Sequence, residues 1–154
     1  MQGVALCAAI VVGWYQIRAL RREAEERWEN ERAWSTLKAC EKYDTDLVLT
    51  NALIKLRDAR NVGLLLKNPR DYSLEMTTIL NYLEGMIIGI EQGFYKEEIV
   101  RDHMEPIIRD HVREFLSGAA REVMVDKDDN FSRLTQKLTS WTETRTRFTK
   151  EKRK

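Results

Sequence analysis

Cysteine, proline, glycine and histidine are all scarce in this 154-residue chain, which has two Cys, two Pro, seven Gly and two His. Cys7 and Cys40 have no companions at metal-ligand spacing, so neither a zinc motif nor a disulfide framework can be built from them. So few prolines and glycines exclude collagen-like and disordered compositions and favour helices. Charge of one sign is lacking too: 26 basic residues face 25 acidic ones, leaving +1. Nucleic-acid binding therefore has no whole-molecule electrostatic basis, and any basic surface has to be local. Strand-like alternation of apolar and polar residues is missing, as are the G-x-G-x-x-G and Walker spacings that cradle phosphates. No cofactor and no metal is expected.

What is present is a 43% hydrophobic, 33% charged composition in one domain's worth of chain. The expected fold is all-α: an N-terminal transmembrane helix continuing into a stalk helix, then a small cytoplasmic helical bundle. Residues 3–13, GVALCAAIVVG, carry no charge, and Trp14, Tyr15, Gln16 and Ile17 lead into Arg18, Arg21 and Arg22. As a helix, Met1 to Ile17 reaches about 25 Å, a little short of the roughly 30 Å hydrocarbon core. A span here requires local thinning, arginine stems reaching to the headgroups, or residues upstream. Trp14 and Tyr15 suit an interfacial belt, and the arginines after them place the following domain in the cytoplasm. A single-pass protein of the inner (cell) membrane is the expectation. The rival is a cleaved signal peptide, which carries its positive charge before the apolar run and needs a small-residue cleavage site after it.

From Arg18 to about Tyr43 strong helix formers run without Pro or Gly, with opposite charges four apart at Arg22/Glu26 and Glu23/Arg27. Trp28 and Trp34 are read as marking where this stalk meets the domain. Asp44 and Thr45 are expected to cap a second helix running to roughly Leu66. Pro69 then breaks the chain and Ser73 caps a third helix, from about Leu74 to Gln92. A fourth is expected from Lys96 to Leu116, kinked at Pro106 and ended by Ser117-Gly118. Residues 119–130 are ambiguous, and Asn130 is read as capping a last helix with Phe131, Leu134, Leu138, Trp141 and Phe148 on one stripe. The division is residues 1–17 as anchor, 18–43 as charged stalk, 44–148 as helical bundle and 149–154 as basic tail.

The third helix contains YLEGMIIGIEQGFY, with glycines at 85, 89 and 93, each costing a helix about 1 kcal/mol against alanine. On a helical wheel Met76, Ile79, Leu80, Leu83, Ile87 and Ile90 form a core face. Asn81, Tyr82, Gly85 and Gly89 lie opposite, a stripe suited to close helix packing within the domain or between subunits. Gly93 falls where the helix stops, as a left-handed C-terminal residue. A second membrane span is excluded, because Asn81, Glu84 and Glu91 would lie in hydrocarbon.

Chemistry, if present, belongs near the fourth helix, where RDHMEPII and RDHVREFL hold both histidines. Neither His103 nor His111 has the Glu-x-x-His spacing of a bundle carboxylate site, since Val100 and Ile108 precede them by three. Eight residues apart, they are about 12 Å distant along the axis, too far to share an ion. His111 lies on the apolar face and reads first as a core histidine. Glu84 or Glu91 facing it across a helix interface is the catalytic-looking pair to test. The tail from Arg145, RTRFTKEKRK, has six basic residues and one acidic, and reads either as a solvated end or as a contact for anionic headgroups aided by Trp141 and Phe148.

The run from Ile79 to His111 resembles the signature of a bacterial and phage family, domain of unknown function 4760. The residues that carry the likeness are Leu80, Asn81, Tyr82, Glu84, Gly89, Gly93, Tyr95, Glu97, Glu98 and Ile99. The likeness implies a single N-terminal membrane segment, an Arg/Glu-rich stalk with tryptophan, and a small helical domain; it implies no activity. The family often has an aromatic-rich stretch after the acidic helix, where this chain has Phe115 alone. Two functions are carried forward. One is a membrane-anchored scaffold or accessory subunit, whose partners are the lipid bilayer and either a protein partner or a second copy. The other is a membrane-linked effector or enzyme using Glu84, Glu91, His103 and His111, for which phage defence or exclusion is suggested by that bacterial and phage context alone.

Overall fold

A computed structural model describes the backbone of residues 2–124 and 131–151 and the side chains of residues 12–117, 120–124 and 131–143. Among the described residues seven α-helices form: α1 (Gln2–Thr45), α2 (Leu47–Asn61), α3 (Leu64–Lys67), α4 (Ser73–Glu91), α5 (Glu97–Phe115), α6 (Gly118–Met124) and α7 (Ser132–Glu151), with a 3₁₀ turn at Pro69–Tyr72. The fold is all-α, and no strand occurs among the described residues. No helix among the described residues is long and apolar enough to cross a membrane. The side chains of residues 1–11, which hold most of the apolar run, and the tail at 152–154 lie outside them.

The stalk and the start of the bundle are one helix. Along α1 the pairs Arg22/Glu26 (3.3 Å) and Glu23/Arg27 (3.6 Å) form on exposed flanks. Trp28 and Trp34 stay exposed, and the bundle begins between them. Glu29 meets the Lys96 ammonium at 2.8 Å, Arg32 donates to the Tyr95 carbonyl at 3.0 Å, and the fully buried Thr36 accepts from the Lys96 N–H at 2.9 Å. These three bonds fix the turn between α4 and α5 against α1. Cys40 and Tyr43 then enter the core.

That core is built where the periodicity places it. Met76, Ile79, Leu80, Leu83 and Ile87 are fully buried and Ile90 nearly so. Leu49, Ala52 and Leu56 of α2, Val100, Met104 and Ile108 of α5, and Leu134 and Trp141 of α7 close around them. Phe131 belongs to the same stripe, while the expected cap Asn130 and the expected stripe member Phe148 fall outside the described side chains.

Several boundaries differ from expectation. Asp46, not Asp44 or Thr45, caps α2, accepting from the Val48 and Leu49 N–H groups at 3.0 and 3.2 Å, because α1 continues through Thr45. Asp46→Ala is expected to cost about 1 kcal/mol of stability, read from urea unfolding. α2 ends at Asn61 rather than near Leu66, since Gly63 turns left-handed at φ +71° and restarts the chain as α3. Ser73 lies inside the first turn of α4 and makes no cap bond. Pro106 is carried within α5, on the exposed side. Gly118 opens α6 instead of closing α5. At Gly93 φ is +79°, the left-handed stop after α4.

Candidate functional site

Parallel packing of α5 along α1, from Glu29 and Thr36 beside Lys96 to Tyr43 beside His111, puts the imidazole Nε2 and the phenol oxygen 2.5 Å apart. The ring also stacks on Phe115 at 4.9 Å between centroids. His111 is 9% exposed, and its Nδ1 is buried without a hydrogen-bond partner. Burial holds its pKa below the ordinary 6.5; Glu114 and Asp110 oppose that shift and Arg60 adds to it. Burial likewise pushes the Tyr43 phenol up, so it keeps its proton. A 430 Å³ cavity adjoins the pair, with Arg57, Arg60, Asp110 and Glu114 on its walls. Arg60 and Glu114 form a two-pronged ion pair there, Nε to Oε1 at 2.7 Å and a second bond from Nη2.

A neutral His111 has a pH signature with a definite sign. Its folded value lies below its unfolded one, so as pH falls the unfolded chain takes the proton first. The stability of the neutral pair is present above about pH 6.5 and lost as pH falls from there through the folded value. The groups facing it are Tyr43 and Asp44 of α1, Arg60 of α2, and Asp110 and Glu114 of α5. The unfolding free energy read from urea titrations should therefore fall with a slope of up to about 1.4 kcal/mol per pH unit below that point. His111→Gln should flatten this limb; a wild-type profile already flat there would refute the assignment.

The acidic residues proposed to face His111 turn instead to α7. Glu84 accepts from the Leu134 N–H at 2.9 Å, supplying from α4 a cap for the first turn of α7. Burial pushes its carboxyl up, against the pull of that N–H and of Arg133. Glu91 pairs with Arg133 at 3.1 Å. Glu97, in the first turn of α5, takes the Trp141 indole N–H at 2.6 Å and the Lys137 ammonium at 2.8 Å. Burial pushes Glu97 up, but these two hydrogen bonds and the charges of Lys137 and Arg101 outweigh it, holding the carboxyl below the ordinary carboxylate value. Trp141 is thus a core residue bonded to Glu97, not a surface anchor. His103 is exposed, with Nδ1 3.0 Å from the Ile99 carbonyl. The chain does not bring Glu84, Glu91, His103 and His111 together, and among the described residues no group of three or more His, Cys, Asp and Glu could hold a metal ion.

The glycine stripe divides. Tyr82 donates its hydroxyl to the Ala39 carbonyl of α1, and burial pushes that phenol up to about 12. Gly89 is buried under the Tyr95 ring, whose Cδ2 would lie 2.4 Å from an added Cβ. Gly85 and Asn81 are exposed, and nothing lies within 4 Å of where a Gly85 Cβ would stand. Toward the other end of α1, Trp14 and Tyr15 are 54% and 65% exposed and touch edge to face. The Arg18 guanidinium lies 5.3 Å from the Trp14 ring centre, and Arg21 and Arg22 follow on the exposed helix.

A family model described as domain of unknown function (DUF4760) matches residues 3–140. The chain belongs to the DUF4760 family. No curated protein and no solved structure matches it. Several residues behind the DUF4760 resemblance are joints of this architecture: Gly89 receives Tyr95, Gly93 stops α4, Glu84 caps α7, and Glu97 holds Trp141. Tyr43, the partner of His111, carries no motif that would have marked it. Helical register could have paired it with α5 once the two helices were known to run parallel.

Proposed function

We propose that this DUF4760 protein is a membrane-anchored, cytoplasm-facing helical interaction module, a scaffold or accessory subunit of a membrane complex. The observation that carries the reading is the continuity of α1, a single helix over Gln2–Thr45. One end holds the uncharged run 3–13 and the Trp14/Tyr15 pair followed by Arg18, Arg21 and Arg22; the other is built into the bundle core. Between Arg18 and Glu29 the helix projects about 16 Å before its first bond to the bundle, a rigid arm that holds the domain off a surface. Engagement of Glu84, Glu91 and Glu97 by α7 further favours binding over catalysis.

Carbonate extraction of membranes tests the anchor. The full chain should stay in the pellet and a chain lacking residues 1–17 should be released; release of the full chain would overturn the reading. A second reading, an effector or enzyme at the Glu84/Glu91/His103/His111 region, draws on the buried imidazole beside a 430 Å³ cavity. Loss of function in His111→Gln with an unchanged unfolding curve would favour it.

A further inference from the structure

One groove in the bundle gathers polar side chains that the fold itself leaves unengaged. It runs between α1 and α4, encloses 530 Å³, and is lined by Ser35, Lys38 and Lys42 on one wall and by Asn81 and Gly85 on the other, with Tyr95 at its end. No carboxylate lines it. Among the described residues the Ser35 hydroxyl and the Asn81 amide have no partner within the chain. Lys38 has only the Trp34 ring, 5.5 Å from its ammonium. Lys42 has only Asp46 at 3.7 Å, a carboxylate already occupied with capping α2. On the floor, Gly85 leaves the α4 backbone open, whereas Gly89 one turn on is sealed by Tyr95.

We propose that this groove is the docking site for an acidic α-helix of a partner protein, seated against Gly85 with carboxylates four residues apart on Lys38 and Lys42. The proposal rests on the interaction-module reading and narrows it. Lys38 and Lys42 stand one turn apart on α1, about 6 Å along its axis, the spacing that side chains at i and i+4 of a second helix match. Gly85 admits that helix's backbone closely, as small residues do at helix crossings. Two ammoniums without a carboxylate between them set the sign of the partner. A lipid headgroup does not fit: Ser35 lies 18 residues, about 27 Å of helix, beyond Ile17.

A photo-crosslinking amino acid at position 35 of the full chain, in its native membrane, provides the test. Crosslinks should map to a segment of one other protein that has carboxylates four residues apart. Gly85→Leu, and separately Lys38→Glu with Lys42→Glu, should reduce the crosslink at least tenfold. Circular dichroism melts should show both variants folded, since the Gly85 side chain enters open space. Crosslinks to lipid, to a second copy of this chain, or to a segment without that acidic spacing would overturn the proposal, as would no crosslink or one that survives the variants. A partner that still co-purifies in mild detergent with both variants removes the groove and keeps the module; no partner for the wild type removes both.

Discussion

Phe115→Ala is expected to lower stability by about 3–5 kcal/mol, the largest loss of any single truncation considered. Phe115 is fully buried at the end of α5, among the largest side chains of the core, and its ring covers His111 at 4.9 Å. Truncation leaves a cavity that the neighbouring helices cannot close without moving α5 off α1, where Tyr43 meets His111. Denaturant unfolding followed by tryptophan fluorescence measures the loss, and Phe115→Leu should recover most of it. A second readout separates packing from general damage. With its cover gone His111 becomes wetter, so its NMR titration should move up toward the ordinary value of 6.5. A loss below about 1 kcal/mol, the range of an exposed-site change, would mean that Phe115 is not the keystone of this end of the bundle.

The elements were legible because their signals are strong and local. α4 and α5 combine three-to-four apolar spacing with punctuation at both ends, and their observed ranges fall within a residue or so of expectation. The errors lie where two local signals compete. Asp44, Thr45 and Asp46 all suit a helix cap, and only the persistence of α1 through Thr45 selects the third. Gly63, one glycine inside an apolar run, gave no reason to stop a helix until its left-handed φ was seen. Trp28 and Trp34 did mark where the stalk meets the domain, but nothing local marked Arg32 and Thr36 as the residues that make the joint. Their roles come from bonds to Tyr95 and Lys96, 63 and 60 positions later.

The candidate site was less legible, for a physical reason. A helical wheel gives direction about one axis but not the identity of the neighbour. Glu84 and Glu91 were expected to face His111 across a helix interface, yet the element packed against them is the start of α7, not the His111 face of α5. His111 was rightly read as a buried histidine, while its partner Tyr43 depended on tertiary pairing 68 residues away. The same limit applied to the glycine stripe, where spacing could not tell a covered glycine from an open one.

Gly89→Ala and Gly85→Ala should therefore move stability in opposite directions, although both replace glycine by the better helix former in the same helix. At Gly85 the added methyl meets nothing within 4 Å, so the intrinsic gain of up to about 1 kcal/mol remains. At Gly89 the methyl would lie 2.4 and 2.5 Å from two ring carbons of Tyr95. Moving that ring is not cheap: the Phe94 and Tyr95 N–H groups both bond the Gly89 carbonyl, at 2.8 and 3.1 Å, and the Tyr95 carbonyl is held by Arg32. Overpacking of this kind costs about 1–3 kcal/mol, more than the propensity gain, so Gly89→Ala should unfold at lower urea than wild type while Gly85→Ala unfolds at higher. Tyr95→Ala supplies the control. In a double-mutant cycle the cost of Gly89→Ala should largely disappear when the ring is absent, a coupling that Gly85→Ala should not share. Equal effects at the two glycines, or no coupling to Tyr95, would show that the stripe packs as one surface rather than as a sealed half and an open half.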